Sequence, residues 1–500
     1  MLPQIALEAA RRFGETTAYV APDGWPLSYA EVDQLSDRVA AGFRHRGIGV
    51  GDVVALLLPP GVEYLVAYLA AAKVGAITTG VNDRLAHPEQ QAVLAIAQPR
   101  LVVAHPGVPD VPFPVEEAVP ADRPGNVLTA FHRDDRVPLL APDDDRAVAI
   151  VFTSGTTGQP KGALYTNRQL AFITRTDVGD SWGGGTRNVS GTSFAHLGFM
   201  TKLAGNLMRG GTTFIMRRWR ARAALELFAR ERMTAVAGVP TQLALMLADP
   251  DFDTFDLSSV QYIVVGGAPI TPATATEARS RFGARLATRY SCTEAGIGLG
   301  TAFDDPDEDA ILSVGRPHPA VDLAILDAAD DPVDLGRVRQ VCLRSPAVMA
   351  EYWHDPDATR AAFTRSGHVR TGDLGWVDDR GRLRLVGRSK EMYVRGGYNV
   401  YPVEVEAVLS NHPGVAAVAV VAVPDPVMGE VGIAVIVPSD PSAPPTIDAL
   451  HKFARAQLAA YKLPDRIESV TELPLTPGEK LDRRALTEAI VSTSHRGLGR

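Results

Sequence analysis

Cysteine is nearly absent: Cys292 and Cys342 are the only two in 500 residues. Two thiols cannot build a multi-bridge framework, and such sparing use suits a reducing compartment. Long apolar runs are missing too. The most apolar helix candidate, Val62 to Ile77, carries Glu63 and Lys73 and falls short of the ~20 residues that a membrane span needs, so it reads as a buried helix. The opening stretch MLPQIALEAARRFGE has neither the apolar core nor the cleavage site of a signal peptide. Positive charge is in deficit, with 58 acidic against 50 basic residues and a net charge of −8, which removes any general attraction to nucleic acid or to an anionic membrane. Together these absences predict a cytoplasmic protein with no nucleic-acid partner and no integral membrane association. One local exception is the basic run Arg217, Arg218, Arg220 and Arg222, which is interrupted by Trp219 and reads as a solvated helix entrance.

What is present is the composition of a globular enzyme: 46% hydrophobic and 22% charged residues, enough to bury large cores. At 500 residues the chain exceeds one ordinary core, so two or three domains are expected. Strand-like and helix-like segments alternate over the first 320 residues or so. Val53–Leu58, Ile77–Val81, Arg100–Ala104, Ala147–Phe152, Thr212–Met216, Ala235–Val239 and Tyr262–Val265 read as strands, which predicts parallel sheets covered by helices. From about residue 320, Val321–Leu326, Val338–Leu343, Gly375–Val377 and Leu383–Val386 are separated by Asp, Gly and Pro turns, the pattern of an antiparallel subdomain. Near Lys390 a third region begins. There Val403–Leu409 and Thr446–Leu458 read as helices and Val415–Val423 and Val431–Val437 as buried strands, a compact α+β unit ending in the unstructured-looking SHRGLGR. The expected division is therefore 1–389, with a β subdomain at about 320–389, and a small domain at 390–500.

Thr153 to Gly162 reads TSGTTGQPKG and follows the apolar run Ala147–Phe152. Gly155, Gly158 and Gly162 let backbone N–H groups approach an anion, while Ser154, Thr156, Thr157 and Lys161 add hydroxyl donors and a positive charge. It is not a Walker loop, because Pro160 precedes Lys161 and Gly162 follows it. The run, from Thr153 on, resembles the phosphate loop of the adenylate-forming superfamily of acyl-CoA synthetases, luciferases and peptide-synthetase adenylation domains.

That resemblance extends over nearly the whole chain. Tyr290–Glu294 reads YSCTE, similar to the family's Tyr-Gly-x-Thr-Glu. It implies adenine stacking on Tyr290, phosphate contact by Thr293 and Mg²⁺ on Glu294, with Ser291 in place of the usual glycine beside the substrate carboxyl. A hard carboxylate oxygen suits Mg²⁺, and an aromatic face suits a purine. Gly266–Gly267–Ala268 matches the adenine-site strand end, where small residues let a flat base lie on backbone. Arg370–Asp373 reads RTGD, like the family's Thr-Gly-Asp, and implies ribose binding by Asp373; alone, it would read as an Asx turn. Gly387–Lys390 resembles the hinge segment, implying that Arg388 contacts ribose and phosphate and that Lys390 is the pivot; Gly396 and Gly397 would let the pantetheine arm of CoA pass. Pro474–Lys480 reads PLTPGEK, similar to Pro-x-Thr-x-x-Gly-Lys, which implies that Lys480 is the adenylation lysine, with Glu479 intruding where the glycine is usual. His196 falls at a wall between acyl pocket and metal site, and the resemblance makes it a catalytic candidate beside Thr293, Glu294 and Lys480.

The resemblance thus implies an α/β enzyme, a ligase that uses ATP, Mg²⁺ and coenzyme A to turn a carboxylic acid into acyl-AMP and then a thioester. The basic run at Arg217 then has contact with the coenzyme's phosphates as its lesser alternative. Apolar candidate walls at 196–200, 236–242 and 291–298 favour a fatty, aromatic or alicyclic acid. Transfer to a carrier protein and a non-catalytic nucleotide-binding relative are the competing expectations. A homodimer is the default assembly.

Overall fold

The computed structural model describes residues 1–108, 111–153, 160–477 and 480–497, the side chains of 492–497 excepted. The fold is α/β, with five sheets among the described residues. In the seven-stranded sheet, Val115–Glu117, Leu101–Ala104, Val53–Leu57, Ile77–Gly80 and Ala147–Thr153 run parallel, and Lys161–Thr166 and Glu351–Tyr352 close one edge antiparallel. Val53–Leu57 is buried at every position, which is why its sequence is an unbroken apolar run instead of an alternating one. Truncating Leu56 to alanine at such a site would cost about 2–5 kcal/mol.

Helix Val62–Val74 is buried along its whole length except at Glu63. Its inward Lys73 is compensated by Asp33 at 2.7 Å and Asp37 at 2.6 Å. A second sheet orders Ala235–Gly238, Tyr262–Gly266 and Arg285–Tyr290 in parallel, so that three strands end side by side. Open sheets of this kind gather ligands at their carboxyl ends. The expected strand at 212 runs Thr212–Ile215 and pairs parallel with Thr17–Val20 and Arg187–Ser190 in a separate four-stranded sheet.

Asp322–Leu326, Arg339–Arg344, Val369–Val377 and Leu383–Arg388 form the antiparallel sheet anticipated from the turn-rich pattern. Thr371–Asp373 lies inside the third of these strands and not in an Asx turn. Gly372, at φ 77°, kinks the strand, and the pairing register shifts between Gln340 and Cys342 and again between Leu374 and Gly375. The bulge re-aims the side chain that follows it, Asp373.

Beyond Tyr393 the chain builds its own five-stranded sheet, centred on Val415–Asp425 paired with Gly429–Pro438. Alternate side chains serve two cores. Val420, Ala434 and Ile436 pack with Val405, Leu409 and Leu450 of helices Pro402–Leu409 and Ile447–Ala454, while Ala419, Val421, Ile433 and Val435 face the opposite way. That second face is covered by helix Arg483–Gly497 through Leu486 and Ile490. The last segment is therefore helical through Gly497, where the sequence suggests an unstructured tail: an i, i+4 apolar pair anchors a helix whose polar end extends into SHRG.

Candidate active site

The phosphate-loop candidate joins two antiparallel strands, Ala147–Thr153 and Lys161–Thr166, as a hairpin. Phe152 faces Gly162 and Thr153 faces Lys161 across the pair. Only glycine fits at 162, because a Cβ there would stand 2.6 Å from Ile150. Ser154, Gly155, Thr156, Thr157 and Gly158 lie outside the described residues, whereas Thr153 and Lys161 frame the loop. The Lys161 ammonium sits 5.1 Å from the ring centre of Tyr352. Tyr352 in turn donates to Glu294 Oε1 at 2.7 Å, which links the loop's cation to the proposed metal carboxylate.

Glu294 and Thr293 follow strand Arg285–Tyr290 and are pinned by their backbone. The Tyr165 hydroxyl donates to the Thr293 carbonyl at 2.5 Å, and Met349 N–H donates to the Glu294 carbonyl at 2.9 Å. Between them and Tyr290 stands Cys292, whose thiol is pushed well up by burial and then by the charges of Glu294 and Asp373. It stays protonated and chemically quiet. Ser291 is exposed. On the neighbouring strand end Gly266 is obligatory, since a Cβ would meet the Arg289 carbonyl at 2.7 Å, and Gly267 at φ 82° turns the chain before the half-buried Ala268.

Asp373 anchors the far side. Its Oδ2 accepts from the Tyr290 hydroxyl at 2.6 Å and its Oδ1 from Arg388 Nε at 3.0 Å, while its own N–H is held by Thr371 Oγ1 at 3.1 Å. Each carboxylate oxygen keeps a further lone pair for a ligand.

Lys480 arrives from the small domain. Its ammonium lies 3.9 Å from the position that a Cβ on Gly267 would take. Crowding by protein pushes its pKa down, the Arg388 guanidinium adds to this, and the Asp373 carboxylate opposes it. Lys480 keeps exposed surface, so water in the cleft tempers the first of these causes. The same ammonium acts on His196. Burial, then Lys480 and Arg84, lower the His196 pKa to about 4, so the imidazole is neutral near pH 7. Asn82, buried, reaches His196 Nε2 at 3.2 Å.

Tyr290, Asp373, Arg388, Gly267, His196 and Lys480 thus meet in one cleft from distant parts of the chain. Lys390, Gly396 and Gly397 are all exposed, and the two glycines form the turn of a hairpin between Tyr393–Arg395 and Tyr398–Val400. Asn82, Tyr165 and Tyr352 have no signal in the sequence beyond being polar residues near strand ends, whereas Thr371 stands in the RTGD segment. The basic run opens helix Ala221–Arg230, as expected of a helix entrance, and Arg222 is tied to Asp249 and Asp251. A cavity of about 140 Å³ under the N-terminal helix, bounded by Leu2, Ile5, Leu170 and Met208, contains none of the cleft residues.

Two family models match the chain: AMP-binding enzyme over residues 7–353 and AMP-binding enzyme C-terminal domain over 404–480. The chain belongs to the AMP-binding enzyme family. It is accordingly an AMP-forming ligase of the adenylate-forming superfamily. It is 32% identical to the fatty acid–acyl-carrier-protein ligase ScoC of Streptomyces coeruleorubidus, over 96% of this chain and 95% of that one. It is 33% identical to a feruloyl-CoA synthase of an Amycolatopsis species, over 94% of this chain and 95% of that one. The crystal structure of ATP-bound MatB from Rhodopseudomonas palustris superposes with a TM-score of 0.87 at 27% identity, covering 98% of this chain and 99% of that one. Among the described residues no helix is long and apolar enough to cross a membrane.

Proposed function

We propose that this ligase activates an apolar carboxylic acid, fatty, aromatic or alicyclic, as acyl-AMP and passes the acyl group to coenzyme A. The observation that carries the reading is the approach of Lys480 to Gly267 beside Asp373, Arg388 and Tyr290. A mobile cation brought to a strand end otherwise equipped for a nucleoside is what adenylation requires. The stacked rings of Phe194 and Phe199, 3.7 Å apart and flanking His196 in the sequence, support an apolar acid.

In the first half-reaction a carboxylate oxygen attacks the α-phosphorus of ATP and pyrophosphate leaves. Two anions must meet, so the work of the protein is to place positive charge and N–H donors where negative charge builds up. Lys480 and Arg388 supply the charge, Thr153, Lys161 and the loop between them hold the departing phosphates, and neutral His196 adds a donor without a competing charge. Asp373 binds the ribose hydroxyls, Tyr290 stacks on adenine, and Thr293 contacts phosphate. Glu294 fits Mg²⁺: it offers one hard carboxylate, and among the described residues no three His, Cys, Asp or Glu side chains are grouped so that they could hold a metal ion by themselves, which suits an ion that takes its other ligands from phosphates and water. Bound there, the ion would neutralise phosphate charge.

In the second half-reaction the CoA thiol attacks the acyl carbon and AMP leaves. Lys480 is then no longer needed. The small domain, from residue 390 on, turns about Lys390 and brings the Gly396–Gly397 hairpin towards the cleft. Likeness to ScoC supports a second acceptor, a phosphopantetheinylated carrier protein. The test is pyrophosphate release with MgATP and octanoate, palmitate, benzoate or ferulate, followed by thioester formation on free CoA or on a loaded carrier. Pyrophosphate release and acyl-CoA are expected. Transfer to the carrier alone would replace CoA as acceptor, and no pyrophosphate with any acid would leave a nucleotide-binding protein.

A further inference from the structure

His196 is held in place by a contact that the reaction above leaves unexplained. Gly80 ends its strand against the backbone of Ala195: a Cβ at 80 would stand 2.5 Å from Ala195 Cα and 2.4 Å from the Tyr64 hydroxyl. This close packing seats the segment carrying His196 over the residues that follow Gly80, and the second of these is Asn82. The Asn82 side chain makes two contacts. Its Oδ1 accepts from Arg84 N–H at 3.0 Å, and its Nδ2 lies 3.2 Å from His196 Nε2.

Those two contacts fix each other. A backbone N–H can only donate, so the atom facing Arg84 N must be the amide oxygen, and the NH₂ must face the imidazole. An NH₂ group can only donate in its turn. His196 Nε2 is therefore the unprotonated nitrogen, and the ring hydrogen sits on Nδ1.

We propose that Asn82 is a positioning residue that locks His196 into the Nδ1–H tautomer, giving the imidazole one fixed donor for the carboxylate and α-phosphate as they react. The proposal rests on the adenylating function proposed above. Burial first, and then the positive charges of Lys480 and Arg84, keep the ring from becoming a cation, and the Asn82 NH₂ facing Nε2 leaves no acceptor there for a second N–H. The donor is thus present without a titration near neutral pH.

Asn82→Asp is the informative change, because it keeps the shape and reverses the polarity. A carboxylate at 82 accepts from Nε2–H, which moves the hydrogen off Nδ1 and stabilises the imidazolium, raising the His196 pKa. The donor at Nδ1 is then lost at alkaline pH and returns as the ring protonates. With the acid that the wild type uses best, pyrophosphate release by Asn82→Asp is expected to be roughly 10- to 100-fold slower near pH 8 and to recover as pH falls, where the wild type stays flat. A wild-type profile, or a loss that no pH restores, would overturn the lock.

A second measurement needs no turnover. Ring-nitrogen NMR of the wild type, with the His196 signals assigned among the 11 histidines by the difference from His196→Gln, should show Nδ1 protonated and Nε2 bare. His196 found as Nε2–H, or as imidazolium near neutral pH, would overturn the proposal whatever the enzyme does. Silence of the wild type with every acid would contradict the adenylating function, and the spectrum would still decide the tautomer.

Discussion

The two sides of the cleft are held by different forces. On the large side, Tyr290, Gly266 and Asp373 project from strands buried in continuous apolar cores, and a chain of hydrogen bonds from Thr371 through Asp373 to Tyr290 fixes their angles. On the small side, Lys480 hangs from a loop closed by reciprocal bonds with Thr476 and followed by Arg483, which pairs with Glu406 and with Glu391 next to the proposed pivot Lys390. The apolar clusters divide cleanly between Leu385 and Tyr393, so none contains residues from both sides. A side that shares no apolar cluster with the rest among the described residues can turn without opening a core. On the proposed function this is a separation of labour: the side with the continuous cores would hold the nucleotide, and the other side would turn and bring the charge.

Lys480→Ala should break that division most severely. Loss of one preorganised charge typically costs about 10²–10³ in rate, so pyrophosphate release should fall that far while thioester formation from supplied acyl-adenylate persists. An equal fall in both half-reactions would remove Lys480 from its role. Lys390→Pro should do the reverse. Proline fixes φ at the pivot, so CoA transfer should slow at least about tenfold while adenylation survives, as half-reaction kinetics would report. Gly80→Ala tests the rigid side through its packing. The new methyl meets Ala195 and Tyr64, so an apparent stability loss of about 1–3 kcal/mol and a several-fold slower adenylation are expected from melting and pyrophosphate assays. The smallest effect is one of pH. Because the Lys480 pKa is lowered, its charge is lost as pH rises through a value below that of a free lysine, so adenylation should decline early on the alkaline side. Lys480→Arg should move that decline upward, and a limb that stayed in place would assign it to another group.

Much of this was legible from the chain alone, for physical reasons that differ by region. Val53–Leu57 and helix Val62–Val74 announce themselves because burial on all sides demands unbroken apolar sequence. Resemblance to the family's motifs marks Tyr290, Asp373, Arg388 and Lys480, which the fold brings together. The bulge at Gly372 was not readable, since a register shift depends on the partner strand. Nor were Tyr352 and Asn82, whose contacts lie 58 and 114 residues away in sequence. The helix through SHRG escaped notice because its anchors, Leu486 and Ile490, precede the segment that looks unstructured.

The central claim is that a carboxylate oxygen attacks the α-phosphorus. Supplying the acid with its carboxylate oxygens isotopically labelled, and weighing the AMP released after transfer to CoA, tests it directly. One labelled oxygen in AMP is predicted, since the bridging oxygen leaves with the nucleotide; unlabelled AMP, or label in inorganic phosphate, would contradict it.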